Sequence, residues 1–312
     1  MNKIWLKYIF SAAALTAQLC AAYAYPTKPI TVMVGYGAGG GTDAVVRSLT
    51  KPLGDILGVT ILVQNVPGAG GGVAAKKVAN APADGYTILA TTSSTFSLEP
   101  QAKKTAYSNE EFIHIATISQ FQGAMFAKAD KPYNNLQELI ALAKKENRPI
   151  KYASFFLVDK LLMGYIGKKE GVKMIPVPVK GGNGAVQAAL AGDVDLAYSG
   201  GSWAPHVASG SAKVIFATSY DRLKLAPNLV AMKDLGYSMG STSYLTLSMA
   251  KDTPPDVLKK VSASISKAIQ DPKMKNSAIS RNMDPTYHDI AGTAMLIQVE
   301  SSAFAEMLKS QN

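Results

Sequence analysis

Histidine, cysteine and long apolar runs are scarce in this chain. Its 312 residues hold three histidines and one cysteine. His114, His206 and His288 are far apart, and none falls in an H-E-x-x-H or comparable metal-ligand spacing. Cys20 lies in the opening stretch, where Lys3 and Lys7 precede a mostly apolar segment from Ile9 to Ala22. Ala22-Tyr23-Ala24 then offers an A-x-A cleavage site, so residues 1–24 read as a secretory leader removed after Ala24. Bulky Leu19 argues against acylation of Cys20. Without the leader the chain has no cysteine, which excludes disulfides, thiolate metal sites and a cysteine nucleophile. The leader's apolar segment is shorter than the roughly 20 residues a membrane span needs, and no later run reaches that length without charge, proline or glycine.

Acidic residues are also scarce relative to basic ones. The full chain carries 32 Lys plus Arg against 22 Asp plus Glu, and dropping Lys3 and Lys7 leaves 30 against 22, a net +8. The lysines come as dispersed pairs such as Lys76-Lys77, Lys144-Lys145 and Lys259-Lys260, with no long basic run. Dispersed lysines make a solvated surface, so no nucleic-acid partner is expected. The positive field still favours small anions arriving by diffusion. A mature chain of 288 residues (312 less 24) exceeds what one core usually accommodates, and two domains are expected.

What the chain does have is glycine at the ends of strand-like runs. Ile30 to Val34 is β-branched and leads into Gly35-Tyr36-Gly37-Ala38-Gly39-Gly40, a G-x-G-x-x-G ahead of a helical pattern in which Asp43 is the expected cap and Pro52 the expected kink. Dinucleotide binding further requires an acid at the end of the second strand. That place is Val63-Gln64-Asn65, with no acid. Gly200-Gly201-Ser202-Trp203-Ala204 approaches a G-x-S-x-G nucleophile elbow beside His206, yet its fifth residue is alanine. No G-x-x-x-x-G-K-[ST] phosphate loop occurs. Catalysis has no complete constellation, and neither a cofactor nor a metal is expected. The alternatives left open are a secreted serine hydrolase using Ser202 and a ligand-sensing module for a membrane sensor.

The unit of strand, glycine or hydroxyl loop, and helix recurs along the chain, which predicts an α/β architecture. Strands are expected at Val59–Val63, Tyr86–Ala90, Ile150–Ser154, Met174–Val179 and Val194–Tyr198, and one extended stretch from Phe112 to Phe126. Loops of this kind gather at the carboxyl ends of strands, where ligands bind. Glycine loops expose amides, and the helix behind them adds a partial positive charge, so a carboxylate can be held without a salt bridge.

Tyr25-Pro26-x-Lys28-Pro29-Ile30 and Gly39-Gly40-x-Thr42-Asp43 resemble the mature start of the Bug-type receptors, the periplasmic substrate-binding proteins of tripartite tricarboxylate transporters. Val63-x-Asn65-x-Pro67-Gly68-Ala69-Gly70-Gly71, Ala81-Pro82-x-Asp84-Gly85-Tyr86-Thr87, Lys151-Tyr152-Ala153-Ser154, Lys180-Gly181-Gly182, Gly192-Asp193-Val194-Asp195 and Thr253-Pro254-Pro255 continue the likeness in order through residues 25–312. The resemblance implies a type II periplasmic-binding-protein fold of two doubly wound α/β lobes with a two-segment hinge. Lobe one is expected at 25–120 plus 247–312 and lobe two at 121–246, the chain crossing near Ile118 and Tyr244. It further implies a monomer that closes on a small organic acid and docks on a two-subunit inner-membrane permease. By that likeness the ligand-binding residues are Tyr36, Gly37, Ala38, Gly39, Gly40 and Thr42 after the first strand, and Thr92, Ser93 and Ser94 beside them. Lobe two would supply Ser154, Gly181, Gly182, Ser199 and Gly200. Two departures stand out. The family usually has proline where Gly35 or its neighbours stand, which implies a more flexible loop here. After Ser154 the family's glycine and hydroxyl loop is replaced by a shorter Phe155-Phe156-Leu157-Val158. Phe155 and Phe156 are expected either to pack the lobe core or to wall the pocket, the latter favouring an aromatic or apolar carboxylate over a citrate-like acid.

Overall fold

The computed structural model describes residues 25–311. The expected leader, with Cys20 and the Ala22-Tyr23-Ala24 site, lies outside the described residues. The first part of the chain forms β1 (Ile30–Val34), α1 (Gly41–Leu57), β2 (Ile61–Asn65), α2 (Gly72–Ala79), β3 (Thr87–Thr92), the short α3 (Ser94–Ser97) and α4 (Glu99–Ala102), and β4 (Phe112–Phe121). There follow β5 (Ala124–Lys128), α5 (Leu136–Lys145), β6 (Ile150–Ser154), α6 (Leu157–Glu170), β7 (Met174–Pro178), α7 (Gly181–Ala191), β8 (Leu196–Ser199), α8 (Ala204–Ala208) and β9 (Ala212–Ala217). The chain finishes with β10 (Tyr244–Ala250), α9 (Pro255–Ala268), α10 (Pro272–Ile279), β11 (Met283–Asp284) and α11 (Ile290–Gln311).

These strands make two sheets, ordered β11-β4-β10-β3-β1-β2 and β7-β6-β8-β5-β9. In the first, β1 pairs parallel to both β2 and β3, while β10 is inserted antiparallel between β3 and β4. In the second, β6 lies parallel to β7 and β8, and β5 runs antiparallel to β8 and β9. The expected α/β class of two doubly wound lobes therefore holds. The stretch expected as one extended run from Phe112 to Phe126 is two strands in different sheets. Phe121 closes β4 and Ala124 opens β5, so the chain crosses at Gln122-Gly123, and it returns to the first sheet at Tyr244.

Alternation on β1 shows how the layers form. Ile30, Val32 and Val34 face a core with Val45, Val46, Leu49 and Leu53 of α1 and Val261 and Ile265 of α9, while Met33 faces the opposite cluster around Leu89 and Phe96. The α1 helix runs unbroken through Pro52, although that residue cannot donate to the carbonyl of Ser48. Its four-residue-spaced apolar stripe against the sheet outweighs the missing bond, since each buried aliphatic side chain contributes about 1.5–3 kcal/mol. In the second sheet, Tyr152, Leu196 and Tyr198 face one way toward α5 and α6, and Ala153 and Ala197 face the other, toward Ala185 and Ala189 of α7. Small residues on that second face let α7 approach closely.

The C-terminal helix joins the two halves. On α11, Ile297 packs into the first-sheet cluster with Phe96 and Phe112, whereas Phe304 and Met307 pack into the second-sheet core with Leu161, Leu162 and Tyr237. Phe304→Ala is expected to lower the unfolding free energy by about 3–5 kcal/mol. Val299→Ala, on the exposed side of the same helix, should change it by less than about 0.5 kcal/mol. Urea unfolding monitored by circular dichroism measures both.

Candidate functional site

The parallel strands β1 and β3 end side by side, and the loops beyond them build one wall. Gly35 leaves β1 with its amide donating to the Ala90 carbonyl at 2.9 Å. A Cβ there would lie 2.9 Å from Gly71 Cα, so the two glycine loops pass backbone against backbone. Gly35 is therefore a packed donor where proline has neither the space nor the N–H. The expected loosening of this loop does not follow from its presence.

Asp43 holds the loop in shape. Its N-terminal helix cap is Gly40, which offers no side chain, so the expected capping role of Asp43 is corrected: it lies in the first turn. Its Oδ2 accepts from the Gly39 amide at 2.8 Å and its carboxylate accepts from Arg47 Nε at 3.0 Å and Asn65 Nδ2 at 2.9 Å. These donors, Arg47 foremost, outweigh the burial of Asp43 and hold it below the usual carboxylate range. Asn65, the position where a dinucleotide fold needs an acid, also donates to the Tyr36 carbonyl at 3.0 Å. The Gly39 amide is thus already engaged. Gly37, Ala38 and Gly40 remain exposed, and the first-turn amides of α1, including that of buried Thr42, have no intrahelical acceptor.

The hydroxyl residues divide by direction. Thr92 Oγ1 lies 2.6 Å from the Tyr36 hydroxyl and 2.9 Å from Ser94 Oγ, a connected run of three hydroxyls. Tyr36 also donates to the Gly70 carbonyl at 3.2 Å, and burial raises its pKa. Ser93 turns the other way. Its hydroxyl donates to Glu300 Oε1 of α11 at 2.9 Å and accepts from the Tyr244 amide at 3.1 Å. Ser97 donates to the other oxygen of Glu300 at 3.0 Å, and burial pushes this carboxyl up to about 8.

Facing this wall are the loops of the second sheet. Ser154 ends β6 fully buried, while Phe155 and Phe156 are half-buried at the rim of the second-sheet core. The two rings lie 4.4 Å apart, and Tyr198 of β8 lies 5.8 Å from Phe155 and 6.3 Å from Phe156. Phe156 meets Tyr36 edge-on at 5.9 Å, the aromatic contact that joins the two sets of loops. Gly181 and Gly182, expected in a loop, form the first turn of α7 behind an uncapped Lys180. Ser199 is buried with its Oγ accepting from the Trp203 amide at 3.1 Å, and the Gly200 carbonyl accepts from the Gln122 amide at 2.9 Å. Ser202 packs against Gly182, and no hydrogen bond joins it to His206 among the described residues. His114 is buried between Ser248 and Asn109, its pKa pushed down to about 4 by burial.

Two residues here were missed from the sequence. Tyr198 lay inside an ordinary strand pattern. Asp159 lay in a helical stretch as a routine first-turn acid, yet it is only 1% exposed and burial pushes its carboxyl up to about 7. Its Oδ1 accepts from the Lys160 amide at 3.0 Å, whereas Oδ2 and the neighbouring Ser154 hydroxyl have no hydrogen-bond partner. A carboxyl whose folded pKa is raised contributes stability that is complete below its ordinary value near 3.8 and is lost as pH rises through about 7. The Tm of Asp159→Asn minus that of the wild type should therefore grow from pH 4 to pH 7 and level off above. Thermal scans across that range measure it.

The model for the tripartite tricarboxylate transporter family receptor matches residues 45–312. A UPF0065 protein from the gbd 5′ region of Cupriavidus necator is 30% identical over 277 residues, covering 88% of this chain and 84% of that protein. Among solved structures, the periplasmic binding protein BugD superposes with a TM-score of 0.81 at 28% identity, covering 92% of this chain and 98% of BugD. MatC of Rhodopseudomonas palustris with bound malate gives 0.79 at 23% identity, covering 91% and 100%. A second R. palustris protein, with adipate, gives 0.81 at 20% identity, covering 92% and 98%.

Proposed function

The chain belongs to the tripartite tricarboxylate transporter receptor family, a family of solute-binding receptors and not of enzymes, and from that premise we propose that it captures a small organic carboxylate with an apolar body. The observation that carries this reading is the pairing of two unlike walls. One presents the helix α1 amides with the Tyr36, Thr92 and Ser94 hydroxyls, and the other presents Phe155, Phe156 and Tyr198. The first wall suits a carboxylate, because charge-assisted hydrogen bonds to amides and hydroxyls hold an anion at about 1.5–3 kcal/mol each. At Phe155 and Phe156 the second offers no side-chain donor where relatives are expected to have a glycine and hydroxyl loop, so it suits a hydrocarbon body. Malate and adipate in the two R. palustris receptors agree with a carboxylate as the recognised group.

In this reading lobe one spans 25–120 plus 247–312, lobe two 121–246, and the crossing segments serve as the hinge. A ligand touching both walls stabilises the closed form by its differential affinity for the two states. The closed receptor then delivers its cargo to a two-subunit inner-membrane permease. The exported chain, freed of residues 1–24, works in the periplasm as a monomer.

Calorimetric titration with benzoate-type acids, aliphatic acids and citrate tests the ligand class. The apolar-bodied acids are expected to bind, and tight citrate binding without response to any of the others would overturn the reading. Gly39→Asp places a carboxylate beside Asp43 in the first loop, where the side chain meets open space. It should weaken carboxylate binding by at least about tenfold more than Gly39→Asn, which bears the same backbone strain at a φ of 78° without the charge. Unchanged affinity in that variant would remove the first loop from the site.

A further inference from the structure

Behind the aromatic wall lies a feature that carboxylate capture does not use. Asp159 is 1% exposed, and among the described residues it takes part in no ion pair. Its Oδ1 is satisfied by the Lys160 amide, but Oδ2 is buried with no partner, and so is Ser154 Oγ at the end of the adjoining strand. Native proteins rarely leave buried polar atoms unpaired, and a lone buried carboxylate is the most unfavourable case of all. Burial disfavours its charge by more than the neighbouring backbone amides favour it. Something else is needed to complete this group.

The surroundings say what kind of group that is. Phe155 and Phe156 connect Ser154 to α6, so they lie in the chain between the two unpaired atoms, and Tyr198 packs on both rings. Tyr36 closes the cluster from the opposite lobe. Aromatic faces around a buried carboxylate attract a cation, since the ring quadrupole and the carboxylate act in the same direction. A neutral hydroxyl donor would complete the hydrogen bond but leave the charge unbalanced. A second carboxylate would be repelled.

We infer that Asp159 and Ser154, walled by Phe155, Phe156 and Tyr198, form a subsite for a protonated amine, so that the receptor takes a zwitterion with its carboxylate on lobe one and its ammonium on lobe two. The inference rests on the carboxylate reading above and narrows it. It sets this chain apart from receptors of diacids, because the second polar end of the ligand is a donor. It also gives the ligand a reason to close the lobes: each end satisfies groups that belong to a different sheet.

The test uses the mature protein and two matched pairs of probes in calorimetric titration, ω-aminohexanoate against hexanoate and phenylalanine against phenylpropanoate. The amine-bearing member of at least one pair is expected to bind at least about tenfold more tightly, the effect of one charge-assisted contact. Asp159→Asn keeps the size and removes the charge, and it should abolish that preference. Ser154→Ala, which removes one acceptor and leaves the charge, should reduce the preference without abolishing it. Equal or tighter binding of the plain acids in both pairs overturns the inference, as does a preference that survives Asp159→Asn. If the plain acids bind and the amines do not, the zwitterion inference falls and carboxylate capture stands. If none of the four probes binds, and none of the acids titrated for the ligand class does either, both fall together.

Discussion

The first loop keeps its shape because one buried carboxylate collects three donors. Asp43, 2% exposed, takes the Gly39 amide from the loop, Arg47 from its own helix and Asn65 from the neighbouring strand. Asn65 then reaches on to the Tyr36 carbonyl, and Tyr36 to Thr92. Removing the carboxylate would leave the Gly39 amide, Arg47 and half-buried Asn65 without this acceptor and free the loop to drift from α1. A glycine loop has little rigidity of its own, since glycine gives up more conformational freedom on folding than any other residue. The exposed amides of Gly37 and Gly40 are directed only because Asp43 fixes what lies on either side of them.

A second set of ties connects that loop region to the far lobe. Glu300 receives hydroxyls from Ser93 and Ser97, directly after the strand that carries Thr92. One and two turns further along α11, Phe304 and Met307 enter the second-sheet core. The helix is therefore fastened next to the hydroxyl cluster at one end and to the opposite lobe at the other. Exposed Lys224 reaches buried Asp284 at 3.2 Å and adds a contact between the two halves. The two sheets are thus connected by the packing of α11 as well as by the two strand crossings.

Much of this was legible before any coordinates. The β-branched runs, the glycine endings and the helical stripes placed β1, α1, β3, β6 and β7 to within a few residues, because hydrophobic period and turn chemistry are local properties. The short elements α8, α10 and β11 were not legible, since their few residues form structure only against neighbours distant in sequence. Ser93 illustrates the same limit within the site. Grouped with Thr92 and Ser94 by its hydroxyl, it faces Glu300, more than 200 residues away in the chain. Gly35, read as a source of looseness, is required by the approach of Gly71.

The sequence by itself determined the α/β class, the absence of cysteine from residues 25–312, and the glycine and hydroxyl loops that close the strands. Each follows from residue types and their spacing along the chain. Tertiary structure alone decided which side chains share an environment. It brought Phe156 against Tyr36 across the cleft, carried α11 from one lobe into the other, and buried Asp159 without a partner. Burial and pairing depend on what distant segments contribute, and an acid that reads as an ordinary helix-start carboxylate becomes a half-satisfied carboxyl with a strongly raised pKa once water is taken away from it.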